Sequence, residues 1–251
     1  MERRSIKVSL AGVDAQVLYH KYLGFDVNTM LVAFESKRRV LSTSEGFKNV
    51  KYVANSHHPD ALSAITMLNY AEFEENFPPM LGVTRDDLVL LSTGANMDNL
   101  AVCEQSYKDL TVCCLATGGV GNGLRSGVDK GHWLERDGRY VNTLGTINIF
   151  VLTNTPLTDG AMARAVITGT EAKTAALQDM DARSSLSPQL QATGTGTDNM
   201  VVVSGVGCGG AVTSTGGHTK IGELIGVATK IVVAETIKRH EISVGKARKT
   251  V

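Results

Sequence analysis

Two patterns of apolar and polar residues divide the chain. Up to about residue 45, short segments alternate apolar with polar positions, which is typical of half-buried β-strands. These segments are separated by turn residues, and their close spacing predicts an antiparallel meander. The predicted strands are 7–12, 15–20, 29–34 and 39–42.

From residue 59 onward, helical periodicity alternates with short apolar runs. One helix is predicted to begin at Pro59, a second covers 159–180 with Asp159 as its cap, and a third carries an apolar face over 221–232. The predicted buried face of the first helix consists of Ala61, Ala64, Ile65 and Leu68. Four apolar runs have the character of buried strands: 87–92, 110–116, 146–152 and 199–204.

These elements predict an α/β fold with a mixed sheet, in which an N-terminal antiparallel part precedes alternating helices and strands. No fixed-period repeat or Pro/Ser-rich linker interrupts the 251 residues, so a single domain over 1–251 is expected. The 25 Lys and Arg balance the 25 Asp and Glu. A net charge of zero argues against a dedicated nucleic-acid-binding protein.

The same composition bears on localisation. No run approaches the roughly 18 apolar residues that a membrane span needs, and the N-terminal apolar segment is too short for a signal peptide. The four cysteines have no Cys-x-x-Cys spacing, and Cys113 and Cys114 lie in an apolar run. Buried thiols of this kind suit a reducing compartment, so a cytoplasmic location is expected.

The 26 glycines, about 10% of the chain against a usual ~7%, form three notable loops. Residues 205–210 match Gly-x-Gly-x-x-Gly after a strand, but no helix follows at once, so a loop is favoured over a dinucleotide site. Residues 118–123 lack the Lys-Ser/Thr ending of a phosphate loop. In 193–198 (TGTGTD), alternate glycines expose backbone N–H groups beside three hydroxyls and Asp198. This turn predicts an oxyanion or amide cradle, with Asp198 as base, orienting group or metal ligand.

Glu171 and Lys173 are candidate charged groups within the predicted helix at 159–180. Residues two positions apart in a helix point about 200° away from each other. Both side chains can therefore serve one site only if that helix is interrupted near Gly169. A solvated pair of surface charges is the alternative interpretation.

His218 and Lys220 stand at the predicted start of the C-terminal helix. The helix dipole disfavours a cation in the first turn, so Lys220 is a candidate for ligand contact, and His218 is a candidate general base. No metal site is expected. The adjacent His57 and His58 point in diverging directions, and no other Cys or His stands at zinc-ligand spacing.

Four segments of the second half, taken together, resemble the adenosylcobinamide amidohydrolase family: 144–148 (LGTIN), 170–177 (TEAKTAAL), 192–198 (ATGTGTD) and 217–226 (GHTKIGELIG). A looser resemblance extends over 40–46, 54–55 and 116–122. One departure is found at 45–47, where this chain reads Glu-Gly-Phe and the family leads us to expect a Gly-Gly pair.

The resemblance implies hydrolysis of the amide between an aminopropanol arm and a corrin side chain, giving adenosylcobyric acid in a salvage step of cobalamin biosynthesis. The corrinoid would be the substrate, and no bound cofactor is expected. The catalytic candidates are Asp198, His218 and Glu171. The candidates for substrate binding are Asn148, Lys173, Thr195, Thr197, Lys220 and Asn122.

The identity of the nucleophile stays open on the residues alone. Asp198 or His218 could activate water, or Thr197 could attack the carbonyl directly. The competing hypothesis from another class is a non-catalytic protein that binds a corrinoid or a phosphorylated ligand, and a third is a structural relative without either activity. Only the enzyme would release free aminopropanol from a bound corrinoid. A small-molecule corrinoid is the expected partner, with neither nucleic acid nor membrane.

Overall fold

The computed structural model describes residues 1–131, 146–207 and 209–249. The strands in these ranges are β1 (Glu2–Ile6), β2 (Val13–Tyr22), β3 (Phe25–Ser42), β4 (Gly46–His57), β5 (Leu88–Thr93), β6 (Ala101–Tyr107), β7 (Leu110–Thr117), β8 (Asn148–Thr153) and β9 (Asn199–Val203). The helices are α1 (Asp60–Leu68), α2 (Tyr70–Met80), α3 (Asp159–Asp179) and α4 (Lys220–Lys249). Leu144, Gly145 and Cys208 lie outside the described residues.

One mixed sheet contains all nine of these strands, and its long strand β3 connects the two halves. β1 to β4 pair as consecutive antiparallel strands. The end of β3 also pairs with β9, where Ser42 lies opposite Val201, and β9 leads on through β8 and β7 to β6. The β8–β9 and β4–β5 pairs are parallel. A register shift between Ala33 and Arg38 bends β3, as bulges do.

Three buried clusters show that the sheet folds into two layers with helices outside both. Inward side chains of β2–β5 and of β7–β9 share one cluster, which contains Val53 and Phe150. The outer face of β6–β9 packs against α3 and α4. The outer face of β2–β5 packs against α1 and α2, through residues such as Leu62 and Phe73. The order of layers is therefore helix, sheet, sheet, helix.

Polar residues collect at one end of this sandwich. β7 ends there with Thr117, which lies opposite Asn148 at the start of β8. Asn148 in turn lies opposite Asn199, the first residue of β9. β4 and β5 also end there, since the Asn55 side chain contacts both Thr117 and Asn148. Because strand ends carry loops over a packed core, this end is the natural place for a site.

The predicted fold class is confirmed, but several strands differ from the prediction. Residues 7–12 form no strand, because Gly12 turns the chain at φ +68°, and β1 precedes them. The predicted strands 29–34 and 39–42 are both parts of β3. β4 and β6 were not predicted: β4 is exposed in its first half and buried on both faces in its second, and β6 is an edge strand. Neither therefore shows a clean alternation.

Two predictions about helices were wrong in detail. The predicted buried face of α1 is exposed, with Leu68 85% exposed, and the helix packs instead through Leu62, Ser63 and Thr66. Because Ser63 and Thr66 carry hydroxyls, the apolar spacing did not predict that this face is buried. The cap of α3 is Thr158, whose side chain accepts a hydrogen bond from the Ala161 N–H. Among the described residues, no helix is long and apolar enough to cross a membrane.

Candidate active site

Asp198 lies immediately before β9, on the face that packs against α3. Side chains alternate along a strand, and Met200 and Val202 belong to the cluster beneath α3 and α4. The Asp198 carboxylate accordingly forms an ion pair with the Lys173 ammonium of α3, and the two side chains are only 15% and 9% exposed. Charges removed from water to this degree need a partner in a well-defined geometry. The pair is therefore a fixed feature of the protein.

The turn before Asp198 is built around its carboxylate. The Thr195 hydroxyl donates a hydrogen bond of 2.5 Å to Oδ1, and the Thr195 N–H donates one of 3.2 Å to Oδ2. Gly196 adopts φ +78°, a conformation that favours glycine. A Cβ on Gly194 would collide with the Asp198 carboxylate and lie 2.7 Å from Lys173 Nζ. The alternating glycines thus let the turn close on the ion pair.

A line of hydroxyl groups leads from this pair toward the surface. Thr197 Oγ1 lies 3.4 Å from Thr195 Oγ1 and 3.2 Å from Thr146 Oγ1. The Asn122 side-chain amide donates a hydrogen bond of 3.1 Å to Thr146, at an exposed position. The structure thus brings together five of the predicted site residues, namely Asp198, Lys173, Thr195, Thr197 and Asn122.

Asn148 lies at the same end of the sheet but on its opposite, inward face. It is fully buried. Its Nδ2 donates to Asn55 Oδ1 over 2.8 Å and to the Ser92 carbonyl over 3.2 Å. Asn55 Nδ2 donates in turn to the Thr117 hydroxyl over 2.8 Å. Asn148 Oδ1 is buried without a hydrogen-bond partner among the described residues, so an acceptor is available there.

Glu171 and His218 occupy a different surface. Because α3 runs without interruption from Asp159 to Asp179, Glu171 and Lys173 point to different sides and do not serve one site. Glu171 and His218 line an exposed cleft of about 660 Å³ together with Arg164. The adjoining loop is held to α3 by a Thr215 hydroxyl that donates to the Ala161 carbonyl over 2.6 Å.

Lys220 is placed at the far end of the sheet from Asp198. Its ammonium pairs with Glu223 at 2.6 Å and lies 4.6 Å from the ring centre of Tyr107, where β6 ends. The Glu223 carboxylate raises the pKa of Lys220. These contacts with a carboxylate and an aromatic ring stabilise the Lys220 ammonium in the first turn of the helix, so no ligand is needed to explain its position.

Glu45 stands where the family resemblance leads us to expect glycine, and it has a structural role. Its carboxylate contacts Lys48 and Arg85, each at 2.8 Å, and accepts a hydrogen bond of 2.8 Å from the Leu90 N–H. These contacts tie the turn between β3 and β4 to β5. At this departure from the family pattern, the Glu45 side chain is therefore engaged in contacts within the protein.

Several residues of this region were not predicted as site residues, including Asn55, Ser92, Thr117 and Thr146. Their one signal in the sequence is a polar residue at the end of an apolar run, as at Thr117. In the part of the chain that the structure describes, no group of three or more His, Cys, Asp or Glu could hold a metal. The expectation that no metal or cofactor takes part stays a prediction.

Comparisons with known proteins agree with the resemblance read from the sequence. The family model described as adenosylcobinamide amidohydrolase (CbiZ) matches residues 14–244. The uncharacterized protein MJ1613 from Methanocaldococcus jannaschii is 46% identical over 87% of this chain and 89% of its own length.

Two solved structures resemble the chain more distantly. The PH0078 protein from Pyrococcus horikoshii has a TM-score of 0.45 and 13% identity, and the l-aminopeptidase d-Ala-esterase/amidase from Ochrobactrum anthropi has a TM-score of 0.41 and 11% identity. Each match covers 91% of this chain and 83% of the other. At these values neither likeness bears on the chemistry of this chain.

Proposed function

The chain belongs to the adenosylcobinamide amidohydrolase family, and from this premise we propose that it hydrolyses the amide joining the aminopropanol arm of adenosylcobinamide to the corrin side chain. The products are adenosylcobyric acid and free aminopropanol. In this role the protein carries out a cytoplasmic salvage step of cobalamin biosynthesis. The corrinoid is the substrate, and water is the second reactant.

The observation that carries this proposal is a carboxylate held at the rim of a hydroxyl-lined turn. Asp198 is fixed by the Lys173 ammonium on Oδ2 and by the Thr195 hydroxyl on Oδ1. Its side chain still keeps 15% exposure, enough for a water molecule to reach it. A positioned carboxylate of this kind can act as a general base for amide hydrolysis.

In the proposed reaction one proton is transferred twice, first to Asp198 and then to the leaving amine. Asp198 takes a proton from water while the water oxygen forms a bond to the amide carbonyl carbon. The carbon–nitrogen bond then breaks, and the proton passes from Asp198 to the nitrogen of the leaving amine. The acid product keeps the water oxygen, so all atoms are accounted for.

The neighbouring residues have supporting roles in this scheme. Thr197 and Asn122, on the line of polar groups toward the surface, contact the substrate. Asn148 is fully buried, so it supports this end of the sheet through its hydrogen bond to Asn55 rather than contacting the corrinoid. Lys173 is buried beneath the turn and acts as a positioning residue for Asp198 rather than as a contact of the corrinoid.

The test is aminopropanol release by Asp198→Asn, with the mass of the corrinoid measured before and after incubation. Loss of a positioned general base costs about 10²–10⁴ in rate, while corrinoid binding should remain. Thr197→Ala distinguishes the two possible nucleophiles, water and the Thr197 hydroxyl. Turnover persists if water attacks the carbonyl and is abolished if the Thr197 hydroxyl does. Near-normal turnover by a folded Asp198→Asn protein would contradict the assignment of the base.

The second candidate function is corrinoid binding without chemistry. It is favoured by the pairing of both Asp198 carboxylate oxygens within the protein, which an anchoring turn would also use. Wild-type protein that changes the visible spectrum of adenosylcobinamide but releases no aminopropanol would establish this alternative.

A further inference from the structure

A second cleft opens at the polar end of the sandwich, beside the ends of β2, β3 and β4. Its volume is about 490 Å³, and its lining includes Tyr19, His20, Asn28, His57 and Asn96. Nothing in the proposed hydrolysis uses these residues. The two adjacent histidines His57 and His58 separate here, because only His57 reaches the cleft.

The His57 ring lacks hydrogen-bond partners among the described residues. Its Nδ1 is buried and unpaired there, and no hydrogen bond or ion pair to Nε2 is found in the same ranges. His20, on the same cleft, differs because its Nε2 lies 3.0 Å from the Thr29 hydroxyl. His58 is 1% exposed and packs against Phe73 at 4.8 Å between ring centres. His57 is therefore the histidine of this cleft with an uncommitted side chain.

Burial also keeps the His57 imidazole in the form that binds metals. Desolvation lowers the pKa of His57, against a smaller opposing effect of the Asp60 and Asp98 carboxylates. A neutral imidazole offers a nitrogen lone pair, which is what a metal ion requires of histidine.

The position of His57 connects this cleft to the candidate active site. Residues two apart on a strand share a face, so His57 and Asn55 both lie on the inward face of β4, as Val53 does. Asn55 is hydrogen-bonded to Asn148, which lies opposite the residue after Asp198. His57 and the Asp198 turn therefore lie at the same end of the sandwich, which is the end that a large, flat substrate of the proposed hydrolysis would cover.

We propose that His57 coordinates the cobalt ion of the bound corrinoid. This inference rests on the proposed function. Adenosylcobinamide carries no nucleotide base below its ring, so one axial position of cobalt is open to a protein ligand. The step is a ligand exchange: a cobalt–nitrogen bond forms to the imidazole, the water on that face leaves, and no electron is transferred. Imidazole nitrogen is an established protein ligand for transition metals of this row, to which cobalt belongs.

The test is electron paramagnetic resonance of cob(II)inamide bound to the full-length protein. A coordinated histidine nitrogen splits each cobalt line into three, whereas water does not. We expect threefold splitting in the wild type, twofold splitting after labelling the protein with nitrogen-15, and no nitrogen splitting in His57→Gln. His20→Gln, changed on the same cleft, should keep the wild-type spectrum, and added imidazole should restore the splitting to His57→Gly.

The outcomes separate this inference from the proposed function. Aminopropanol release by a wild-type protein whose bound cob(II)inamide shows no nitrogen splitting overturns the coordination alone. Splitting that persists in His57→Gln also overturns it, because another nitrogen is then the ligand. A wild type that binds the corrinoid with nitrogen splitting yet releases no aminopropanol supports the coordination while overturning the hydrolysis.

Discussion

The two sides of α3 carry charged residues in opposite ways. Toward β9, Lys173 is buried and its ammonium is held by the Asp198 carboxylate, with the Thr195 hydroxyl completing the arrangement. On the other side, Glu171 and His218 line an exposed cleft, and neither forms an ion pair within the described ranges. Buried charges depend on exact partners, whereas exposed charges are screened by solvent and salt.

This difference separates residues that the sequence groups together. Glu171 and Lys173 belong to one short segment, 170–177, yet the helix turns them to different surroundings. A preorganised group is useful for catalysis because it does not have to be rearranged during the reaction. The comparison thus assigns the chemistry to the Asp198 side and predicts that changes there have much larger effects.

The largest effect is expected for Lys173→Met. Removing one partner of a buried ion pair leaves an uncompensated charge and costs about 3–5 kcal/mol of stability. The double variant Lys173→Met/Asp198→Asn should recover most of that stability, since no unpaired charge remains. Aminopropanol release should be lost in the double variant, because the base is missing.

Denaturant unfolding and turnover together check this pair of variants. A cycle with the single variants gives the coupling free energy between the two side chains. If Lys173→Met unfolds at the wild-type denaturant concentration, the ion pair contributes nothing measurable. The contrast between the two sides of α3 would then be wrong.

The buried region beneath α1 and α2 makes folding sensitive to acid. The two sides of α3 can therefore be compared only over a limited pH range. Burial lowers the pKa of His58 to about 4, with further lowering by the neighbouring His57 and His20. Between the unfolded value of 6.5 and about 4, the unfolded chain binds a proton that the folded chain does not. Acid therefore favours unfolding in this window, by about 3 kcal/mol at its lower end.

Unfolding free energies measured from pH 7 to pH 4 check this sign. Stability should be fully present above pH 6.5 and fall as the pH decreases, and His58→Leu should flatten that slope. An unchanged slope in a folded His58→Leu protein would show that other groups carry the acid sensitivity. Effects on activity at the Asp198 site should accordingly be measured above pH 6.5.

Two glycines allow a matched test of how closely each side is packed. Gly194→Ala places a methyl group against the Asp198 carboxylate and near Lys173 Nζ. A displacement of about 1 Å at a catalytic group can cost up to about 100-fold in rate. In Gly217→Ala the new methyl meets no atom of the described residues within 4 Å, so turnover should stay close to wild type. Equal turnover by the two variants would remove the case for a tightly packed base.

Much of the fold could be predicted because its buried elements have clear periodicity. The continuous apolar runs of β5, β7 and β8 and the long helix α3 were recognised from pattern alone. The edge strand β6 was missed, since four of its seven residues are half-buried and it shows no alternation. The buried face of α1 was missed because Ser63 and Thr66 carry hydroxyls yet face the core.

The candidate site could be predicted only where its residues are close in sequence. The turn 193–198 and its position before a strand follow from local pattern. The contacts of Asn55 with Thr117 and Asn148 join residues 62 and 93 positions apart, and no local pattern encodes such pairing. For the same reason the sequence did not show which of Glu171 and Lys173 belongs to the site. The continuous helix separates the two, and the ion pair with Asp198 places Lys173 there.

The smallest effects are expected in the exposed cleft, from Glu171→Gln and His218→Gln. Both residues were candidates for catalysis, so these variants test the comparison directly. Neither side chain has a described hydrogen bond or ion pair to lose, and surface substitutions of this kind usually change stability by no more than about 0.5 kcal/mol. If the chemistry belongs to the Asp198 side, aminopropanol release should stay within about threefold of wild type, far from the 10²–10⁴ that loss of a general base costs.

A loss of that larger size in folded His218→Gln, with Asp198→Asn near normal, would move the base to the exposed cleft. The buried pair of Lys173 and Asp198 would then be an anchor for the turn.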